Sequence, residues 1–265
     1  MDTQQQKQYN VLLVGDSCQD IYHFGICERI SPEAPVPVLK QTRIERRFGM
    51  AHNVFLNLKS FNLDVEFITN DEKIKKHRYV DDKSKSHLLR VDEGETTLLE
   101  PLLYKAIKAL KNKNYDAVIL SDYDKGFLRD DNCHKLIEEL NDVPFFVDTK
   151  KPLLDCYDYK NCIIKLNSKE LDRIIKKPKN AKLITTLGSA GASYNNKIFK
   201  TEPVEVHDVC GAGDVFLASL VFGFLKTKDL EKAIIYANKL ASLSVTKFGT
   251  YVLTREEINA NQFTD

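Results

Sequence analysis

Residues 208–214 read Asp-Val-Cys-Gly-Ala-Gly-Asp and run directly into an amphipathic helical pattern. Gly211 and Gly213 let the backbone turn tightly, and the N–H groups of Gly211, Ala212 and Gly213 then gather at a helix N-terminus, where the dipole favours an anion. Asp214 places a carboxylate in the same turn. Beside an anion site a carboxylate is repelled, so phosphate binding alone does not explain it. It is explained if Asp214 takes the proton of a hydroxyl attacking a phosphoryl group while the amides hold the developing charge. The plainer alternative is a tight turn with a first-turn charge, because short glycine motifs are weak signals. The helix itself is well marked. Leu217, Leu220, Val221, Phe224 and Leu225 fall at helical spacing, and a second such pattern runs through Ala233, Ala237, Leu240, Ala241 and Ser244.

The elements that must position this turn can be read upstream. Val11–Gly15 is a short apolar run ending at Asp16, with Asp20 four residues on. Ala117–Ser121 ends at Asp122 and is followed by Tyr123, Asp124, Lys125 and Gly126. Phe145–Val147 leads to Asp148 and Lys150, and Ile163–Leu166 leads to Asn167, Ser168, Lys169 and Glu170. Asn167 with Glu170 three residues later is also a helix capping box. Leu183–Leu187 ends at Gly188, and a hairpin with Asn195-Asn196 as its turn follows. Helical patterns at 51–61, 100–112, 131–140 and 169–175 alternate with these strands. Such alternation predicts an α/β fold, a mainly parallel central sheet with helices on both faces. Polar residues recur at strand ends 16, 122, 148 and 167, which predicts one ligand crevice along one sheet edge. Three prolines between Arg29 and Val38 exclude helix there and predict an extended, edge-like segment.

Composition sets the outer bounds. A chain of 265 residues, 43% hydrophobic, can bury one full core, so 1–265 is expected to be a single domain. A net charge of +1 does not indicate nucleic acid. The lysine runs at 73–76 and 176–179 read as solvated faces. Cys18, Cys27, Cys133, Cys156, Cys162 and Cys210 include no Cys-x-x-Cys pair. With no signal peptide and no transmembrane run, no membrane role is expected; reduced thiols in a cytoplasmic protein are the expectation.

The 208–216 segment resembles the C-terminal signature of the ribokinase-like (PfkB) sugar kinases, through Asp208, Gly211, Ala212, Gly213, Asp214 and Phe216. Cys210 and Val215 depart from it, where small hydroxylated residues are common. The stretch Arg29-Ile-Ser-Pro-Glu-Ala-Pro-Val-Pro-Val38 after Gly15-Asp16 is similar to the opening of that family's heptose 7-phosphate kinase branch. Residues 47–58 resemble its Gly-Gly-Ala-x-Asn-Val helix start, with Gly49 and Asn53 retained, Met50 in place of the second, hinge glycine, and His52 in place of a small residue.

The resemblance implies a ribokinase-like fold with a small β lid at roughly 22–48 and 74–91. It implies Asp214 as catalytic base and Gly211, Ala212 and Gly213 as the anion hole. Asp16, Gly49 and Asn53 would hold the sugar, and Arg78, Arg90 and Lys125 its phosphate. Asn167 and Glu170 would organise Mg²⁺, mostly indirectly, together with phosphate. Thr186, Gly188 and Asn238 would line the nucleotide site. ATP and Mg²⁺ are the implied cofactors, a sugar phosphate is the implied small-molecule partner, and a homodimer through the lid is the implied assembly. The implied reaction is ATP-dependent phosphorylation of the anomeric hydroxyl of D-glycero-D-manno-heptose 7-phosphate. Two alternatives stand beside it: a PfkB kinase for a different sugar, and a weakly active nucleotide- or sugar-binding regulator. The second is motivated by Met50 and by a short 65–91 region, which lacks a turn, a helix and a strand usual in the family. The family's frequent nucleotidyltransferase domain has no counterpart within 1–265.

Overall fold

The computed structural model describes residues 8–71, 73–95, 99–102, 104–111 and 113–261. In chain order the strands are β1 (Asn10–Gly15), β2 (Ser17–Ile30), β3 (Pro37–Met50), β4 (Asp64–Thr69), β5 (Lys75–Asp81), β6 (His87–Glu93), β7 (Ala117–Asp122), β8 (Phe145–Thr149), β9 (Cys162–Asn167), β10 (Lys182–Thr186), β11 (Ala192–Tyr194) and β12 (Lys197–Phe199). The helices are α1 (Ala51–Ser60), α2 (Tyr104–Leu110), α3 (Asp130–Glu139), α4 (Ser168–Leu171), α5 (Ala212–Thr227), α6 (Leu230–Ser244) and α7 (Arg255–Ala260).

Eight strands make one sheet in the order β12-β11-β10-β9-β8-β7-β1-β4, parallel from β10 to β4 and antiparallel at the β10-β11-β12 end. Its central strands are covered on both faces, so β1, β7, β8 and β9 read as nearly unbroken apolar runs instead of alternating ones. Val11, Leu13, Ile119 and Phe146 pack with the apolar stripes of α1, α5 and α6 on one face. Leu12, Val14, Val118, Leu120 and Val147 pack with Ile107, Leu136 and Ile137 from α2 and α3 on the other. Each Val, Leu or Ile buried in this way contributes roughly 1.5–3 kcal/mol. The α/β class and mainly parallel sheet expected from the alternation are therefore present.

A second sheet has the order β3-β2-β5-β6, antiparallel except for the β2–β5 pair. Strand parity divides it into two faces. Tyr22, Phe24 and Val80 are buried on one, together with Phe248 from the main body. Ile44, Phe48, Leu89 and Val91 are exposed, and register puts them all on the other.

Local differences from the sequence expectations have physical causes. The proline-rich stretch is extended only at its ends; residues 31–36 form the bend that joins β2 to β3, and β3 is an edge strand. The pattern at 169–175 yields only the short α4, and residues 172 and 173 continue as a turn. The pattern at 100–112 is helical over Tyr104–Leu110, and Leu103 and Asn112 within it lie outside the described residues. β4 ends at Thr69 and β5 begins at Lys75, with residue 72 between them outside the described residues.

Candidate active site

The sheet's parallel strands deliver their polar ends to one side. Asp16 follows β1, Asp122 ends β7, Asp148 lies on β8 and Asn167 ends β9; the start of α5 meets them there. Gly211 caps α5 with φ 78°, left-handed backbone that favours glycine, and a Cβ on it would stand 2.7 Å from the Asn53 amide nitrogen. The amide of Ala212 already donates to the Val209 carbonyl at 3.3 Å. The amides of Gly211 and Gly213 have no protein acceptor among the described residues. Two amides of the turn, those of Gly211 and Gly213, are thus free to meet an anion.

Asp214 is buried, and its carboxylate is tied at both oxygens. Asn53 donates to Oδ2 at 2.9 Å and the Tyr123 hydroxyl donates to Oδ1 at 3.1 Å. Burial pushes its pKa up to about 6; the Asn53 bond opposes that, Asp148 adds to it, and Lys165 and Tyr123 oppose it. An aspartate titrating near 6 is ionised at neutral pH yet far more basic than a surface carboxylate, which suits a proton acceptor.

Lys165 carries a charge that the motifs did not point to. It lies in the otherwise apolar strand β9, almost wholly buried, and its Nζ donates to Asp148 Oδ2 at 2.6 Å. The same Nζ stands 3.1 Å from where a Cβ on Gly213 would be, so a cation sits against the anion turn. Burial would raise the Asp148 carboxyl, but Lys165 and Lys150 hold it below its usual range. Lys150 also bonds Glu170 and lies 5.1 Å from the Tyr123 ring centroid. The signal for Lys165 was legible: a lysine inside a fully buried strand is rare unless paired.

The sugar-side residues gather nearby. Asp16 is fully buried; its Oδ2 accepts from the Tyr123 amide at 2.6 Å and its Oδ1 has no hydrogen-bond partner among the described residues. Burial, reinforced by Asp122, pushes Asp16 up to about 7. Gly49 stands where a Cβ would meet Asp20 Oδ2 at 2.2 Å, so glycine is needed for this close approach. Met50, next to it, has φ 59° and ψ −135°, backbone that only glycine adopts without strain.

Not every expected phosphate ligand comes to the cluster. Arg78 is buried and donates from Nε and Nη2 to Asp20 Oδ1 at 3.1 and 2.9 Å. Arg90 lies on the outermost strand β6, half in solvent, paired with Asp92 at 2.9 Å. The Lys125 ammonium turns away to Glu95 at 3.0 Å, while its backbone amide faces Asp16. His52 packs on aromatic rings, with Phe48 stacked at 3.8 Å between centroids.

Asn167 and Glu170 form a complete capping box: each side chain accepts from the other's backbone amide, at 2.9 and 2.7 Å. Thr186, Gly188, Ala212, Gly213 and Asn238 line a cavity of about 520 Å³ on the other side of the anion turn. Asn238 donates to the Phe199 carbonyl at 2.7 Å, which fixes α6 against β12 along that wall. The size suits a nucleotide. For a divalent cation the donor set is thin. Among the described residues no group of three or more His, Cys, Asp or Glu could hold a metal. Glu170 and Asp148 are shared with lysines, so Mg²⁺ fits here only if phosphate oxygens and water supply most of its ligands.

Residues 57–257 match the model of the pfkB family carbohydrate kinases. The chain is 34% identical over 300 residues to the bifunctional protein HldE of a Nitratiruptor species, an alignment covering 94% of this chain and 64% of that protein. It is 33% identical to HldE of Campylobacter jejuni subsp. doylei, over 96% of this chain and 65% of that one. The chain thus spans about two-thirds of the length of these relatives. Among solved structures, phosphofructokinase-2 from Escherichia coli in complex with potassium superposes with a TM-score of 0.71 at 14% identity, covering 94% of this chain and 96% of that one. Arabidopsis thaliana ribokinase complexed with ribose and ATP gives 0.68, also at 14% identity, covering 97% and 100%. The fold is ribokinase-like, a buried aspartate stands at the start of α5, and about three-quarters of the sequence matches the family model: the chain belongs to the pfkB family of carbohydrate kinases.

Proposed function

We propose that this kinase uses ATP to phosphorylate a sugar that already bears a phosphate, D-glycero-D-manno-heptose 7-phosphate at its anomeric hydroxyl being the best-supported substrate. The observation that carries the reaction is Asp214, buried and held by Asn53 and Tyr123 at the start of α5, where burial pushes its pKa up to about 6. The substrate assignment is supported by the HldE relatives, which match over nearly the whole chain.

In this reading Asp214 accepts the proton of the attacking hydroxyl. The Gly211 and Gly213 amides and the Lys165 ammonium face the transferred phosphoryl group. Asp16, Asn53 and the close turn at Gly49 orient the sugar. Thr186, Gly188 and Asn238 wall the nucleotide cavity. Mg²⁺ would supply charge neutralisation on the phosphates, with Asn167 and Glu170 beyond its first ring of ligands. The second sheet acts as the lid, its segments near 22–48 and 74–91, with 1–265 working as one domain. Its outward face, with Ile44, Phe48, Leu89 and Val91 exposed, is the surface for a homodimer through the lid. No described helix is long and apolar enough to cross a membrane, and the six cysteines are free, in keeping with work in the cytoplasm.

ATP-consumption assays across a panel of sugars and sugar phosphates test the proposal. Turnover greatest on heptose 7-phosphate is the expected result. A clear preference for another sugar would move the substrate assignment within the family. The strained Met50 and the short interval between Thr69 and Lys75 favour one further reading, a weakly active regulator that binds nucleotide or sugar, which predicts ligand binding with little consumption of ATP on any sugar.

A further inference from the structure

Between the inner face of the second sheet and the main body lies a recess of about 660 Å³ that none of the sequence motifs pointed to. Arg43, Arg47, Lys85, Ser84, Ser86 and His207 contribute its polar walls. Two of its cations lie over aromatic rings. The Arg43 guanidinium carbon stands 3.9 Å from the Phe24 ring centroid, and that of Arg47 stands 4.9 Å from that of Tyr22. A guanidinium lying over a ring keeps its N–H groups for anions, and its planar fork suits two-point contact with phosphate.

An anion already lies between these guanidiniums. Glu45 accepts from Arg43 Nε at 3.2 Å and from Arg47 Nη2 at 3.0 Å. Asp82 takes the other side of Arg43 and pairs with Lys85 at 2.7 Å. Three fixed cations thus meet two carboxylates, and Glu45 is exposed enough to swing aside. A dianion entering there would meet both arginines. The Tyr22 hydroxyl, on a fully buried ring beneath Arg47, has no hydrogen-bond partner among the described residues.

The recess adjoins the anion turn. Arg47 Nη1 donates to the Phe248 carbonyl at 3.0 Å and lies 2.3 Å from where a Cβ on Gly249 would be. The Gly249 amide donates to Asp208 at 2.9 Å, and Thr250 Cα is 3.4 Å from where a Cβ on Gly211 would be. Arg47 is therefore separated from the phosphoryl-transfer turn by little more than residues 249 and 250. Arg78, by contrast, is buried and tied to Asp20 through Nε and Nη2, and Arg90 is on the far strand.

We propose that this recess, with Arg43 and Arg47 as its principal ligands and Lys85 at its rim, binds the phosphate that the sugar carries into the reaction. The inference rests on the phosphosugar reading above and adds where that phosphate is held. It also makes the second sheet a specificity element, because the ligands sit on β3 and on the β5–β6 turn.

The test is steady-state kinetics at saturating ATP with heptose 7-phosphate and with the same heptose lacking its phosphate, together with KM for ATP. Arg43→Gln, Arg47→Gln, Arg47→Lys and Lys85→Gln are compared with the unaltered enzyme. Lys85 lies at an exposed turn, so its replacement leaves folding out of the comparison. The expected result is a fall of at least ~10-fold in the preference for the phosphorylated heptose in each arginine-to-glutamine variant, the scale of one charge-assisted bond. Arg47→Lys and Lys85→Gln should fall between, and KM for ATP should stay unchanged. If the unaltered enzyme prefers the phosphorylated heptose and every variant keeps that preference, the subsite is overturned while the substrate reading stands. If the variants raise KM for ATP instead, the recess serves the nucleotide's phosphates and the proposal is overturned. If the unaltered enzyme shows no preference for the phosphorylated heptose, the substrate reading fails and the subsite with it.

Discussion

At the scale of single residues the site is a set of buried charges whose partners decide their use. Asp214 keeps its proton affinity high because it is buried, and keeps its orientation because Asn53 and Tyr123 hold both oxygens. Asp214→Asn preserves shape and removes the base, so kcat should fall by ~10²–10⁴ with nucleotide binding retained, as measured by turnover and by titration with nucleotide. Lys165 makes a different prediction. Removing it takes the nearer of two lysines from the buried Asp148 carboxylate and leaves only Lys150, at 3.8 Å, so Lys165→Met should destabilise the protein by up to ~3–5 kcal/mol in denaturant melts. Adding Asp148→Asn should return much of that stability but no turnover, because the cation beside Gly213 stays missing. Recovery of turnover in the double variant would show that Lys165 serves only the fold. Asp214 was legible from its motif, whereas Lys165 was legible only as an anomaly, a charge in the buried run Cys162–Leu166. Tyr123 stood inside a recognisable turn, but nothing in one dimension says that its hydroxyl crosses to Asp214.

At the scale of elements, periodicity located most of the scaffold. The strands β1, β7, β8 and β9 and the helices α1, α5 and α6 follow from apolar patterns with clear ends, and the Asn167–Glu170 capping box forms as its spacing demands. The second sheet was harder to read. β2 and β3 run fourteen residues each and pair with each other through bulges, while β2 pairs across the chain with β5, so no local pattern announces them. Backbone conformation is also invisible in composition until a residue violates it. Met50 stands in backbone that suits glycine, a strain worth ~1–3 kcal/mol. Its side chain is buried, and burial of that size contributes roughly 1.5–3 kcal/mol. Truncation should therefore break the usual order: Met50→Gly should be more stable than Met50→Ala by ~1 kcal/mol, because only glycine relaxes the turn. Thermal melts of the two variants decide it; alanine being the more stable would mean the positive φ carries no strain. Gly211 is the converse case. Gly211→Val must force φ 78° on a branched side chain and push Asn53 off Asp214, so kcat should collapse by the ~3 kcal/mol typical of a lost oxyanion donor, with circular dichroism unchanged.

At the scale of the whole molecule the buried carboxylates couple function to pH with opposite signs. Asp214 must be ionised to take a proton, and its pKa near 6 sets the acid limb, so kcat/KM should fall as pH drops through about 6. Stability should not fall with it. Asp214 and Asp16 have folded pKa values near 6 and 7, both raised from the ordinary 3.8. A group with a raised folded pKa binds its proton more tightly in the native state, so the folded protein takes up protons between about pH 7 and 4 and gains stability as pH falls through that window. Asp148 acts the other way: Lys165 and Lys150 lower it, and the stability it contributes is lost only when pH falls below the ordinary carboxylate range. The pH of greatest activity should thus lie above the pH of greatest stability. Melting temperatures and kcat/KM measured on the same preparation from pH 8 to 5 should diverge, the first holding or rising while the second drops. A melting temperature that falls in step with activity through pH 6 would mean that the loss of turnover is unfolding, and that Asp214 is not the titrating base.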